Sequence, residues 1–560
     1  MSRLTRHNDI KNPAVKIPLL WRSGAAGAKV ALLAINAKYV HSSLAAWVLA
    51  GGVSAYSRLP HDVNVIEATI HQTVGEIAAK VAALAPDVVG VSAYIWNANL
   101  LPELLGTLSE LLPGTTIVLG GPEASHNAEH WLAHGADYVL RGEGERTFPA
   151  LLDALSAGEI EPAESSECPR YDASIDPYSE AYFDALGGRI AYLETSRGCP
   201  FHCSFCLSAG ENVRYFPIDT VKEQINKLSK SGTRTIKLVD RTFNCNSERA
   251  YELFEHIIGL DTDCCFHFEV AADLFDERTL SLLGSAEPGR IQLEIGLQSF
   301  FEPALRATFR QTDIEKAERN IRVLLQNKNI HIHVDLIAGL PHETLADFRQ
   351  SFNRAYALGA HMLQLGFLKL LHGSALRAQA DDLSIRYDAE PPYEITSSPW
   401  MSADDLLILK TAENALSHTY NKCRFLSVLE YVMSVSGLDA FMLLRTLGEA
   451  VPNHGLHLTD YAVKIFDCFA NLPNVDRDKL RDCMVCDWLG MVKGRNMPTF
   501  LRRQNNGRKQ AIRMAERQLG RKIARGEAEV LLSGKGVYAD GEARDPVTRL
   551  YRLHSWGSTN

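Results

Sequence analysis

Two regions of this sequence alternate short β-rich runs with stretches of helical spacing, and that rhythm leaves few folds open. In the first, from Lys29 to about Leu155, the runs are KVALLAIN, DVNVIEA, DVVGVSAY, TTIVLGG and DYVLRG, separated by segments such as EIAAKVAALA and LPELLGTLSELL. A parallel, doubly wound sheet reads this way, and such sheets bind ligands beyond the carboxyl ends of their strands. A polar stretch containing EPAESSECPRYDASIDPYSE then reads as a linker. The second region brings AYLETS, TIKLVD, CFHFEVA, RIQLEIG, HIHVDLIAG and MLQLGFL. About six βα units suit a partial (β/α)6 barrel, whose chemistry lies at the C-terminal strand ends. After Leu376 the strand signal fades and helical patterns such as DDLLILKTAENALSHTY dominate. The expected fold is α/β: an N-terminal tail (1–28), a doubly wound domain (29–157), a linker (158–188), a barrel (189–376) and a mainly α-helical C-terminal domain (377–560).

At 560 residues, with 46% hydrophobic and 22% charged, the chain has the balance of a soluble globular protein of several domains. A net charge of -9 spread over that length predicts no nucleic-acid partner. The segment MSRLTRHNDIKNPAVKIPLLW lacks the apolar core of a signal peptide, and no apolar run approaches about 18 residues. The expectation is a cytoplasmic protein without a membrane span. None of the eleven cysteines precedes Cys168, and their clustering reads as reduced thiols rather than disulfide partners.

Three of those cysteines fall in ETSRGCPFHCSFC, Glu194 to Cys206, where Cys199, Cys203 and Cys206 form CxxxCxxC in the loop after the first strand of the second region. Soft thiolates suit zinc or an iron-sulfur cluster, but a closed zinc site takes four ligands and a [4Fe-4S] cluster normally uses four cysteines. Three leave one iron free to bind a further ligand. On this motif the sequence resembles the radical S-adenosylmethionine (SAM) enzymes. The resemblance implies that the three cysteines hold a [4Fe-4S] cluster whose open iron binds SAM, with Phe205 packed beside it. His202 is a loop residue in this reading. The same resemblance implies a SAM pocket of Asp240 and Thr242 in LVDRTFN, Glu269 in FEVAADLFD, Glu294 and Gln298 in LEIGLQS, and Gly339 in DLIAGLPHET. For each carboxylate the alternative is an ion pair or helix cap at the barrel mouth.

The first region lacks the GxGxxG turn of a dinucleotide site after its first strand, which runs instead into NAKYVHSSLAAWVL. Its other strand ends, Ser92-Ala-Tyr94, Gly120-Gly121-Pro122-Glu123 and Arg141-Gly-Glu143-Gly-Glu145, resemble the cobalamin-binding domain that precedes many radical SAM barrels. The implied cobalamin contacts are Tyr39, His41, Ser92, Tyr94, Gly120, Gly121 and Glu143. Small residues there permit close backbone approach to a nucleotide tail. DxHxxG is absent, so the resemblance points to the subgroup without histidine ligation of cobalt, with the loop Asn36 to Ser43 near the lower corrin face. The methylthiotransferase branch of the family carries a second cysteine trio in its N-terminal domain, and the lack of cysteines before Cys168 argues against it.

The helices after Leu376 resemble an uncharacterised extension found on one subset of these proteins. Cys483 and Cys486 form CxxC there, a possible auxiliary metal site if Cys423 and Cys468 approach, and equally one apolar helix face. Cys264 and Cys265 point to opposite faces if they lie on a strand, which makes them poor co-ligands. Nine Lys and Arg residues between Arg502 and Arg525 read as a solvated helix face rather than a nucleic-acid surface. The resemblance implies an enzyme using the cluster, SAM and cobalamin to methylate an unactivated carbon of a small molecule, with a flavodoxin or ferredoxin as electron donor. Rearrangement or cyclisation without methyl transfer is the alternative reaction, and a non-catalytic sensor or carrier the alternative class.

Overall fold

The structure is a computed structural model that describes residues 4–6, 27–158, 175–451, 455–492, 497–502, 506–522 and 527–556. Cys168, most of the expected linker and tail, and parts of the basic stretch lie outside these residues.

The first sheet contains β1 (Leu4–Arg6), β2 (Lys29–Asn36), β3 (Asp62–Thr69), β4 (Val88–Ser92), β5 (Thr116–Gly120) and β6 (Tyr138–Leu140). Their order is β1-β6-β5-β4-β2-β3. β2 to β6 run parallel, while β1, inside the stretch expected to be a tail, adds an antiparallel edge to β6. Along β2, Val30, Leu32 and Ala34 join one buried cluster and Ala31, Leu33 and Ile35 another. A strand apolar on both faces is what two covering helix layers require. The chain reverses its winding between β2 and β4, so the crevice of a doubly wound sheet opens beyond Asn36 and Ser92.

The second sheet orders β14 (Met362–Phe367), β13 (His331–Ala338), β12 (Ile291–Gln298), β11 (Cys265–Val270), β10 (Thr235–Leu238) and β7 (Ala191–Leu193), all parallel. β7 and β14 do not pair, so the barrel is open, as expected. Burial alternates strictly along β11 and β12, and the amphipathic helices Ser247–Ile258 and Ile314–Gln326 cover the apolar face. Between β7 and β10 lies a separate antiparallel ribbon, β8 (Ser196–Cys199) with β9 (Glu211–Tyr215).

A small hairpin, β15 (Arg386–Tyr387) with β16 (Ile395–Ser397), leads into the helical part. Its helix Ala403–His418 packs beside the open β14 edge, and Ala440–Ala450 packs on that helix. There the Asn421 amide imitates a missing strand, accepting from Leu363 N at 2.9 Å and donating to Leu363 O at 2.8 Å. The expectation of a mainly helical end missed a three-stranded antiparallel sheet, β17 (Ala528–Val530), β18 (Gly536–Arg544) and β19 (Tyr551–Trp556). The turn between its last two strands lies under the barrel. A Cβ on Gly289, just before β12, would stand 2.9 Å from Pro546 O, while Arg549 and Asp545 act electrostatically on His331 and His361.

Among the described residues no single helix is long and apolar enough to cross a membrane. The helices Leu426–Ser436 and Ala440–Ala450 pass such a test only as a pair bent by 112°, and both bury their apolar faces in the core.

Candidate active site

Cys199 ends β8, and Cys203 and Cys206 follow in the loop that returns to β9. The loop folds on itself through Cys206 N to Cys203 O (3.0 Å) and Gly210 N to Phe201 O (2.8 Å). It is anchored outward by Ser204 N to Thr308 O (2.9 Å) and Leu376 N to Ser204 O (2.8 Å). Gly198 has φ +95°, and a Cβ there would stand 2.7 Å from Asn212 O. Only glycine lets β8 turn this closely beneath β9.

Asp240, expected to touch SAM, is buried and bonded to the start of the ribbon. It accepts from Thr195 N (3.1 Å), Thr195 Oγ1 (2.7 Å) and Ser196 Oγ (2.5 Å), and burial raises its pKa. It therefore braces the start of the ribbon. Thr242, two residues on, is the one that reaches the cysteines, with Oγ1 3.7 Å from Cys199 Sγ. Phe205 packs against the barrel core.

Arg310, which no motif singled out, brings the other side of the mouth to the cysteines. Its Nη1 donates to Cys203 Sγ at 3.7 Å and its Nη2 to Gly296 O at 2.7 Å. Burial raises the Cys203 pKa and the guanidinium opposes that rise. Gln298, at φ +69°, stands beside Gly296, so β12 delivers it to the same end of the site. Gly339 ends β13 at φ +91° and packs under Ile395. Glu269 and Glu294 lie deeper, sharing Lys237 at 3.3 and 3.1 Å. Burial raises the Glu269 pKa; against its own burial, the His267 hydrogen bond and Lys237 hold Glu294 down to about 2.

The donor set fits a cluster better than a single ion. A mononuclear zinc with bonds of about 2.3 Å would draw its thiolates to within about 4 Å of one another. The three sulfurs do not form a group within 4.8 Å, and among the described residues that closeness is met by Glu294, His333 and Asp335. Buried polar atoms without partners, Ser204 Oγ, Gln298 Oε1 and Arg310 Nε, surround the cysteine loop and suit a polar ligand there. Cys483 and Cys486 lie on the helix Arg477–Met491 and pack against the apolar core, where burial pushes their pKa values up to about 12 and 11.

At the doubly wound sheet, Gly121 has φ +99°, and a Cβ there would lie 2.6 Å from Ala93 O, so the ends of β4 and β5 close tightly. Gly120 ends β5 and pairs with Ser92, while Tyr94 stacks on the half-exposed Trp96 at 4.2 Å. These residues line one rim and fit the apolar edge of a large planar ligand. Tyr39 is 76% exposed under Arg189. His41 has left that rim: its Nδ1 lies 2.6 Å from the Tyr192 hydroxyl on β7, and burial lowers its pKa. Glu143 is likewise committed, to Arg214 and, at 3.7 Å, to Arg197. Arg197, inside the cysteine motif but unassigned from sequence, also holds Glu145 at 2.5 Å and Glu194 at 2.8 Å. One side chain two positions before Cys199 thus ties the cysteine ribbon to the other sheet.

Three family models match along this chain. Residues 30–152 match the B12 binding domain, 193–355 the radical SAM superfamily and 381–526 a protein of unknown function, DUF4080. A B12-binding match is thus followed along the chain by a radical SAM match. An uncharacterised methyltransferase of Pyrococcus horikoshii is 27% identical over 43% of the chain and 58% of its own length. An anaerobic magnesium-protoporphyrin IX monomethyl ester cyclase of Cereibacter sphaeroides is 25% identical over 50% of the chain and 51% of its own. The chain thus spans about half the length of the curated relatives it matches. Among solved structures, the cobalamin-dependent S-adenosylmethionine radical enzyme OxsB, with aqua-cobalamin and SAM bound, aligns with a TM-score of 0.57. That match has 14% identity and covers 82% of this chain and 78% of that one, a likeness of fold.

Proposed function

We propose that this protein is a cobalamin-dependent radical SAM enzyme that methylates an unactivated carbon of a small molecule. The observation that carries the reading is the cysteine ribbon itself: three thiols at the C-terminal mouth of a six-stranded parallel sheet, tied by Arg197 to the strand-end loop of a B12-binding sheet. Cys199, Cys203 and Cys206 would hold the cluster. Thr242, Gln298, Phe205 and Gly339 would border SAM, and Ser92, Tyr94, Gly120 and Gly121 would border cobalamin. When bound, these groups supply a 5′-deoxyadenosyl radical that takes a hydrogen atom and a methyl group that replaces it.

The chain's own residues arrange that site. Arg310 offsets thiolate charge at Cys203, Asp240 fixes the ribbon's approach, and Arg197 sets the spacing between the two strand-end surfaces. A flavodoxin or ferredoxin would deliver the electron. The resemblance to a protoporphyrin ester cyclase supports a second reading, radical cyclisation without methyl transfer.

Anaerobic reconstitution with iron, sulfide and cobalamin, followed by SAM and a reductant, tests the first. The expected products are 5′-deoxyadenosine and S-adenosylhomocysteine together. Deoxyadenosine alone favours cyclisation, and no deoxyadenosine, or an equal yield from Cys203→Ala, ends the enzyme reading.

A further inference from the structure

Below the cysteine ribbon, the polar face of the barrel sheet carries a second constellation that the function proposed above does not use. Glu294 and His333 are register partners on β12 and β13, and Asp335 follows two residues along β13 on the same face. Asp335 is level with Gly296, whose carbonyl holds Arg310 at the cysteines, and Glu294 and His333 stand one side-chain layer, about 7 Å, deeper. A carboxylate oxygen of Glu294, a ring nitrogen of His333 and a carboxylate oxygen of Asp335 all lie within 4.8 Å of one another.

Two further observations make this more than a polar patch. His333 is only 5% exposed, and its Nε2 faces Asp335 Oδ1 at 2.8 Å as an ion pair, with no other hydrogen bond on either atom. That carboxylate oxygen is itself buried. Buried polar atoms are normally well paired, so a ring nitrogen and a carboxylate oxygen that have only each other, beside a third donor, suit a cation held among them. The surroundings are also built as an outer layer of support. His267 Nε2 (2.8 Å) and Lys237 Nζ (3.1 Å) both bind Oε2 of Glu294, which fixes the carboxylate and leaves its other oxygen for an ion. Lys237 does not dominate the charge, because it is shared with Glu269.

We propose that Glu294, His333 and Asp335 bind one divalent first-row transition-metal ion, of the Mn²⁺, Fe²⁺ or Zn²⁺ kind, inside the barrel. One imidazole and two carboxylates suit these ions, and soft thiolates are absent from the set. All three ligands stand on adjacent strands, so the site is held by the sheet rather than by loops. Three protein ligands leave coordination positions open. Glu294 and Asp335 keep 21% and 16% of their side chains exposed, so those positions face the lumen. An oxygen donor of a substrate, such as a carboxylate, phosphate or hydroxyl, fits there.

The test needs no turnover. The full-length holoprotein and a Cys199→Ala/Cys203→Ala/Cys206→Ala variant are dialysed against Mn²⁺ or Zn²⁺, and bound metal is counted by mass spectrometry. We expect one ion per chain beyond the cluster iron in the holoprotein, and the same lumen ion in the triple variant. At least tenfold weaker binding is expected in Asp335→Asn and His333→Gln. No additional ion, or undiminished binding by both lumen variants, overturns the proposal. Should those variants fold poorly, wild-type crystals soaked with Zn²⁺ decide: an anomalous peak between the three side chains supports the site, and peaks only elsewhere overturn it. Metal counting needs neither SAM nor turnover, so this proposal and the proposed function fail separately.

Discussion

Asp240 and Glu343 are both buried carboxyls, yet they carry opposite predictions. Asp240 receives three hydrogen bonds from Thr195 and Ser196 at the root of the cysteine ribbon. Asp240→Ala strands these buried donors, and each unsatisfied group costs about 1–3 kcal/mol. We expect a loss of about 2–4 kcal/mol in denaturant unfolding together with depleted iron after reconstitution; full iron content would show that the ribbon stands without it. Glu343 is fully buried between Ser299 (2.5 Å) and Ser351 (3.2 Å), and burial pushes its pKa up from 4.5 to about 7. A raised carboxyl pKa means that the fold prefers the protonated form. The associated stability is complete below pH 4.5 and is lost as pH rises to about 7, on the order of 3 kcal/mol in all. Glu343→Gln should therefore gain stability relative to wild type across that window and no further above it. Equal pH profiles for the two proteins would contradict this. Sequence made the cysteines legible because their spacing is a motif. Arg310 and Arg197 were not, since their roles come from side chains meeting across distant segments. His333 and Asp335 left a trace: HIHVD, like FHFEV and QLEIG, places a polar residue at every second position of a strand.

At the scale of elements, eleven strands were readable as β-rich runs set between helical stretches. The β8–β9 ribbon was not. ENVRY has no apolar run, because this strand is half-exposed and leans on backbone pairing with β8. β17 to β19 escaped for a related reason: strands such as YRLHSW alternate polar and apolar positions after a long helical rhythm. The ribbon also gives a sharp test, since it depends on a glycine where other residues are strained. Gly198→Ala puts a methyl group 2.7 Å from Asn212 O at φ +95°. We expect roughly 1–3 kcal/mol of destabilisation and a ribbon too displaced to retain iron. Circular dichroism should remain near wild type while the cluster absorbance falls; unchanged absorbance would refute the assignment of the glycine.

At the scale of the molecule, the two sheets are joined by charge. Arg197, Glu143, Glu145 and Glu194 make a largely buried group, with Arg197 and Glu145 side chains 19% and 9% exposed. Composition foresaw two α/β units but not their junction, because charged residues in loops carry no periodicity that reports their partner. A double-mutant cycle of Arg197→Met and Glu145→Gln, read by thermal unfolding near pH 7, should give a coupling of about 1–3 kcal/mol. A coupling near zero would mean that the sheets are held by other contacts.

The turn Asp545–Arg549 has a consequence of another kind. It supplies the underside of a barrel whose last strand ends at Phe367. A chain emerging from the ribosome completes its strands well before that turn is made. For that interval the nascent barrel is open at both ends, so its polar interior can be reached from below, a route that closes once the remaining residues have been synthesised.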